Sequence, residues 1–153
     1  MRKTLTVLLL LACVFVASNA LAHSYKQGDI EIGHIWTHAT APGMTTAAIY
    51  VPLLNIGKQS DILLGASSDL AEKIEIYQST NDNGIMKMQK LDSITLEPNK
   101  PVSFRPGGLH FMVFGLKRQL KEGEMFPITI QFKNAGTAKV DVMVQAINAM
   151  SGN

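Results

Sequence analysis

The chain has 153 residues, 46% hydrophobic and 17% charged, with 14 basic against 12 acidic side chains. That is enough apolar material for the core of one domain. No basic block or aromatic-basic stripe is present, which excludes the usual nucleic-acid-binding surface.

The N-terminus reads as an export signal. Met1-Arg2-Lys3 is cationic, Thr4 to Val16 is an apolar run, and Ser18-Asn19-Ala20-Leu21-Ala22 ends in a small-x-small pattern. These features predict a signal peptide over residues 1–22, cut after Ala22. The apolar run is shorter than the roughly 20 residues a bilayer span needs, so the protein is not expected to span a membrane after cleavage. Leu10-Leu11-Ala12-Cys13 also loosely resembles a lipid-attachment site, although Val14-Phe15-Val16 stay apolar beyond the cysteine, which a tether does not need. Cleavage after Ala22 removes Cys13, the single cysteine, together with Arg2 and Lys3, leaving basic and acidic residues equal in number. The remaining chain, 23–153, is read as one domain. It has neither disulfides nor thiolate ligands, in a compartment where disulfides would persist.

Residues 23–28 are expected to be a loose end. Beyond them the pattern is all-β. Asp29 to Trp36 alternates, Thr45 to Leu54 is rich in branched residues, Ile62 to Leu64 is a short apolar run, and Lys73 to Tyr77 alternates cleanly. A single helical turn is expected near Ser68 to Glu72, capped by Ser67, Ser68 or Asp69. Asn81-Asp82-Asn83-Gly84 is a hairpin signal leading into Ile85 to Leu91. Ser93 to Leu96, Val102 to Phe104, Leu109 to Phe114, Phe126 to Phe132 and Lys139 to Ile147 complete the strands, separated by Gly- and Pro-containing turns. Residues 149–153 are expected to be a second loose end. Short strands at this spacing predict a sandwich or barrel. Trp36 is expected to anchor the core, and Gly107 with Gly108 to form a tight turn before Leu109.

Met86 and Met88, and His110 and Met112, are each two residues apart, so within a strand each pair shares a face. Leu109, Phe111 and Val113 form the apolar set of their strand, which turns His110 and Met112 outward or toward an edge. Met86 and Met88 are ambiguous, because methionine also fills gaps in cores. Thioethers with imidazole form a soft donor set suited to Cu(I).

Asn83 to Met88, Pro106 to Met112, Leu116 to Leu120 and Gly123-Glu124 together resemble the PCu(A)C family of exported bacterial copper chaperones. His34-Ile35-Trp36 and Phe126 to Phe132 extend the similarity over most of residues 23–153. The family motif is His, ten residues, Met, twenty-one residues, His-x-Met; residues 89–109 supply the twenty-one and His110-Phe111-Met112 supplies the His-x-Met. The motif's first histidine is replaced by Tyr77. His38 stands where the family has arginine, and Lys100-Pro101 where it usually has a glycine-containing turn.

The resemblance implies a cupredoxin-like or immunoglobulin-like β-sandwich in the periplasm. It implies Cu(I) held by Met88, His110 and Met112 and delivered to a copper-accepting subunit of a respiratory oxidase or to another periplasmic copper carrier. Three versions of the site follow. The three ligands act alone; or Met86, His38, Tyr77 or the N-terminal amine and imidazole of His23 completes the set; or copper binding has decayed and a metal-free interaction domain remains. Protonation of His110 would remove its donor nitrogen, so affinity is expected to fall in acid. No enzyme is expected: there is no nucleophile elbow, no phosphate loop and no His-Glu-x-x-His. A blue-copper centre would need a Cys ligand.

Overall fold

The structure, a computed structural model, describes residues 24–147. Thirteen strands follow in chain order: β1 Tyr25–Gln27, β2 Ile30–Ile32, β3 Trp36–His38, β4 Thr46–Tyr50, β5 Pro52–Asn55, β6 Asp61–Ser67, β7 Lys73–Asp82, β8 Ile85–Leu91, β9 Ile94–Leu96, β10 Val102–Ser103, β11 Leu109–Phe114, β12 Met125–Phe132 and β13 Gly136–Gln145. The described residues contain no helix, and so none long and apolar enough to cross a membrane.

The large sheet runs β8-β7-β11-β4-β3-β13-β12-β6-β9, and pairing of β6 with β7 at Ala66 and Ile74 closes most of it into a barrel-like wall. A small sheet, β1-β2-β5-β10, completes the sandwich. All the ladders are antiparallel except β3 with β13. Period-two alternation explains the wall. Phe126, Ile128, Ile130 and Phe132 on β12, and Ala138, Val140, Val142 and Val144 on β13, point inward and are buried. Fully burying each of the larger side chains stabilises by about 1.5–3 kcal/mol. Phe111 is wholly buried and packs against Phe104 with ring centroids 4.7 Å apart.

Two buried polar residues hold the loops. Asn55 donates to the carbonyls of Gln59 and Leu96 and accepts from Gly57 N–H. Asp61 accepts from the main-chain N–H groups of Ile62, Asn134 and Ala135. Each buried polar group is thereby matched, as burial requires.

Several expectations need correcting. Asp29 to Trp36 is two strands, broken at Gly33–Ile35, and the break shifts the alternation. Ile30 and Ile32 face inward, and then Ile35 and Thr37 do, so Trp36 is turned out of the core. Thr45 to Leu54 likewise divides into β4 and β5, which belong to different sheets. Residues 25–27, within the expected loose end, pair with β2. Ser68 to Glu72 is a turn without a helix: Ser68 Oγ accepts from Leu70 N–H and Ser68 O from Ala71 N–H, and the chain then enters β7. The signal peptide, Cys13, His23 and residues 149–153 lie outside the described residues.

Candidate metal centre

Directly paired residues of neighbouring strands share a face, so the register locates every donor. Phe111 and Val113 fill the interior, which puts His110 and Met112 on the outer side of the wall. Across β7, His110 is opposite Tyr77 and Met112 opposite Glu75. Across β8, Tyr77 is opposite Lys90 and Ser79 opposite Met88. On the other flank Met112 is opposite Ala48. One outer face therefore carries Met88, Tyr77, Glu75, Lys90, His110 and Met112.

His110 lies on that outer side yet is only 6% exposed, a correction to its expected outward exposure. The Tyr77 ring stacks over it, centroids 6.2 Å apart and planes 22° apart. Its Nδ1 is 3.1 Å from the Gly108 carbonyl. A carbonyl only accepts, so Nδ1 carries the proton and the Nε2 lone pair is left free. Metal-binding histidines show this same arrangement. The Gly108 carbonyl also accepts from Ser79 N–H at 3.0 Å, which fixes its position.

The carbonyl is set by the turn Arg105–Gly108, closed by Gly108 N–H donating to Arg105 O at 3.0 Å. Pro106 occupies its second position and Gly107, at φ 79°, its third, as a type II turn demands. A Cβ on Gly108 would meet Arg105 at 3.6 Å, an ordinary contact. The conformational need thus rests on Gly107 rather than on both glycines.

Met86 and Met88 are 60% and 52% exposed, which removes their core alternative. They extend from a hairpin whose two turn residues, Asn83 and Gly84, both have positive φ, the type I′ geometry that matches strand twist. Met112 stands about 7 Å along the strand from His110, while Met88, opposite Ser79 and not Tyr77, is two strand spacings away, about 10 Å, and about 7 Å further along in the direction opposite to Met112. Tyr77 is seated between them.

The Tyr77 hydroxyl donates to Glu75 at 3.1 Å, and Glu75 is paired with Lys90 at 2.9 Å and Lys73 at 3.3 Å. The hydrogen bond from Lys90 holds the Glu75 carboxyl below its usual range, aided by Lys73 and Tyr77 and opposed by desolvation. The same contact raises the Lys90 ammonium. Sequence reasoning missed this network, although Glu75 and Tyr77 are spaced to share a face.

His38 is one pair beyond Trp36–Tyr50 and Thr37–Ile49, level with Ala48 and two strands from Met112. Its ring packs with those of Trp36 and Tyr50. Trp36 is half-buried on the outer side, 5.0 Å from the His38 ring and 4.7 Å from the Tyr50 ring, and is not the expected core anchor. Burial pushes the Tyr50 phenol up. Thr37 takes the inward place, its hydroxyl satisfied by the Ala48 carbonyl at 2.7 Å. Among the described residues no three or more His, Cys, Asp or Glu side chains gather as a metal site. The imidazole and thioethers on this face fit Cu(I) and not a hard divalent ion; His110 and Met112 are neighbours on β11, whereas Met88 stands apart on β8.

Residues 30–144 match the family described as "Putative lipoprotein LpqE-like". The uncharacterized protein RP573 of Rickettsia prowazekii is 32% identical over 140 residues, covering 84% of this chain and 77% of its own. Among solved structures, the copper-bound PCuAC domain from PmoF2 is 27% identical and superposes with a TM-score of 0.70, covering 81% of this chain and 98% of its own. Cu(I)-bound DR1885 from Deinococcus radiodurans is 28% identical, with a TM-score of 0.57, covering 84% of this chain and 85% of its own.

Proposed function

The chain belongs to the LpqE-like family and has the fold of PCuAC domains, and from that premise we propose that it is an exported copper carrier. It takes up Cu(I) at Met88, His110 and Met112. It passes the ion to a copper-accepting subunit of a respiratory oxidase or to another periplasmic copper carrier. It acts as a carrier and not as an enzyme.

The observation carrying this reading is the His110 imidazole, with Nδ1 committed to the Gly108 carbonyl and Nε2 free, on the strand face that also carries Met112. Copper-bound structures of similar domains support it. Tyr77 is at the position of the family's first histidine, and its hydroxyl is committed to Glu75, so three neutral donors remain. Cu(I) accepts low coordination. Thioethers need no deprotonation, so loading and release displace few protons, unlike thiolate sites. Met88, on the exposed hairpin, is the outermost donor and the first an acceptor protein would displace. Met86, facing the same way one step nearer the hairpin tip, is a reserve donor. Residues 1–22 direct export to the periplasm, by cleavage after Ala22 or by lipid attachment at Cys13. Cleavage would place His23 at the new N-terminus.

The Tyr77–Glu75–Lys90 network favours a second reading, a metal-free interaction domain in which those polar groups have taken over the centre of the site. Anaerobic Cu(I) competition against a chromogenic chelator separates the two. Tight one-to-one binding, lost in Met88→Ala/Met112→Ala, is the expected result. Absence of binding in the native protein, with binding created by Tyr77→His, would instead establish the metal-free reading.

A further inference from the structure

A second set of soft donors lies on the same side of the wall, across Ala48 from Met112. We propose that His38 and Met44 form a separate binding site for a soft monovalent metal ion, Cu(I) in the first instance.

The His38 ring is held as the His110 ring is. Its Nδ1 is 3.0 Å from the Ala146 carbonyl, so that nitrogen carries the proton and Nε2 presents its lone pair. Met44 lines the same cleft of about 140 Å³, together with Ala48 and Tyr50. No charged side chain lines that cleft, so a low-charge ion and neutral donors are the matched pair.

The loop carrying Met44 is fixed in advance. Thr40 is buried; its N–H donates to Leu120 O at 3.0 Å, and its hydroxyl accepts from Leu120 N–H at 2.9 Å. Its carbonyl accepts from Gln119 Nε2 at 2.8 Å. Ala41–Met44 is a turn closed by Met44 N–H donating to Ala41 O at 3.2 Å, with Pro42 second and Gly43 at φ 82° third. A rigid turn thus displays a methionine that is 48% exposed. A methionine filling a core gap would be buried. Trp36, edge-on to His38 at 5.0 Å, screens one flank of the imidazole.

This site uses none of Met88, His110 and Met112, and the test separates it from the copper site proposed above. Trp36 is the only tryptophan in the chain and lies 5.0 Å from His38, so its fluorescence reports on this cluster, and Met88→Ala/Met112→Ala separates any contribution from copper at the neighbouring site. The purified protein is titrated anaerobically with Cu(I), following tryptophan emission and total bound copper together. The expected result is quenching of Trp36 with an equivalent of copper that survives in Met88→Ala/Met112→Ala. That quenching and that equivalent should be lost in His38→Ala/Met44→Leu and in Met44→Leu alone, whose exposed position leaves the fold intact. Absence of quenching at excess Cu(I), or quenching that persists in Met44→Leu or vanishes in Met88→Ala/Met112→Ala, overturns the proposal.

Discussion

The β12–β13 and β7–β8 hairpins have similar ladders, but burial runs the length of the first and stops partway along β7 in the second. β12 and β13 each have a further partner on the outer flank, β6 and β3, and both strands alternate buried and exposed along most of their length. β8 has no partner but β7, and β7 itself pairs with β11 only as far as Gln78. Past that point the hairpin is a two-stranded ribbon outside the wall. Ile85, Met86 and Met88 there are all more than half exposed. Lys87 and Lys90 along β8 discourage pairing with another chain's edge. Hydrophobic residues in the first hairpin, with Ile74 and Ile76 at the base of β7, hold the molecule together; those exposed on β8 add little to the core and are free to meet a metal or a partner.

Substitutions sharpen this contrast, beginning where the loss is greatest. Phe111→Ala empties the centre of the wall and is expected to cost about 3–5 kcal/mol, read as a lowered urea midpoint. A loss below about 1 kcal/mol on the same core-cavity argument would mean the wall collapses around the gap. Gly107→Ala puts a Cβ on a left-handed residue and should cost about 1–2 kcal/mol. Gly108→Ala should change stability by no more than about 0.5 kcal/mol. Equal effects from the two variants would refute the assignment of the turn to Gly107.

Tyr77→Phe removes the hydrogen bond to Glu75 and should cost about 0.5–1.5 kcal/mol. The Glu75 carboxyl is held low in the folded state, so the stability it adds is full above its unfolded pKa, about 4.3. That stability is lost as pH falls through the lower folded value. Thermal midpoints of Glu75→Gln should therefore fall less steeply than those of the native protein below about pH 4.3. Parallel acid limbs would show that Lys90 and Lys73 do not stabilise the ionised form. The smallest effect on stability is expected for Met88→Ala, within about 0.5 kcal/mol. That variant should still weaken Cu(I) binding measurably by chelator competition, and unchanged affinity would remove Met88 from the ligand set.

Much of this was legible in the sequence. Period-two alternation marked β7, β11, β12 and the far part of β13, and Asn83-Gly84 marked the β7–β8 turn, because side-chain direction and left-handed backbone are local properties. Phe111 in the core and the shared face of His110 and Met112 followed from the same rule. The failures lie where a break resets the phase. Gly33–Ile35 interrupts an alternating run, so Trp36 could be placed only with the tertiary pairing of β3 between β4 and β13. The burial of His110 was equally illegible, since it depends on the Tyr77 ring arriving from another strand.

The sequence by itself determined the all-β character, the turn chemistry and the supply of imidazole and thioether donors, since each depends on residue type and near-neighbour spacing. Only the tertiary structure decided which donors meet. Strand order and register bring Tyr77 onto His110, Glu75 beside Met112, and His38 to the far side of Ala48. Those pairings join residues distant in sequence, and no local periodicity encodes them.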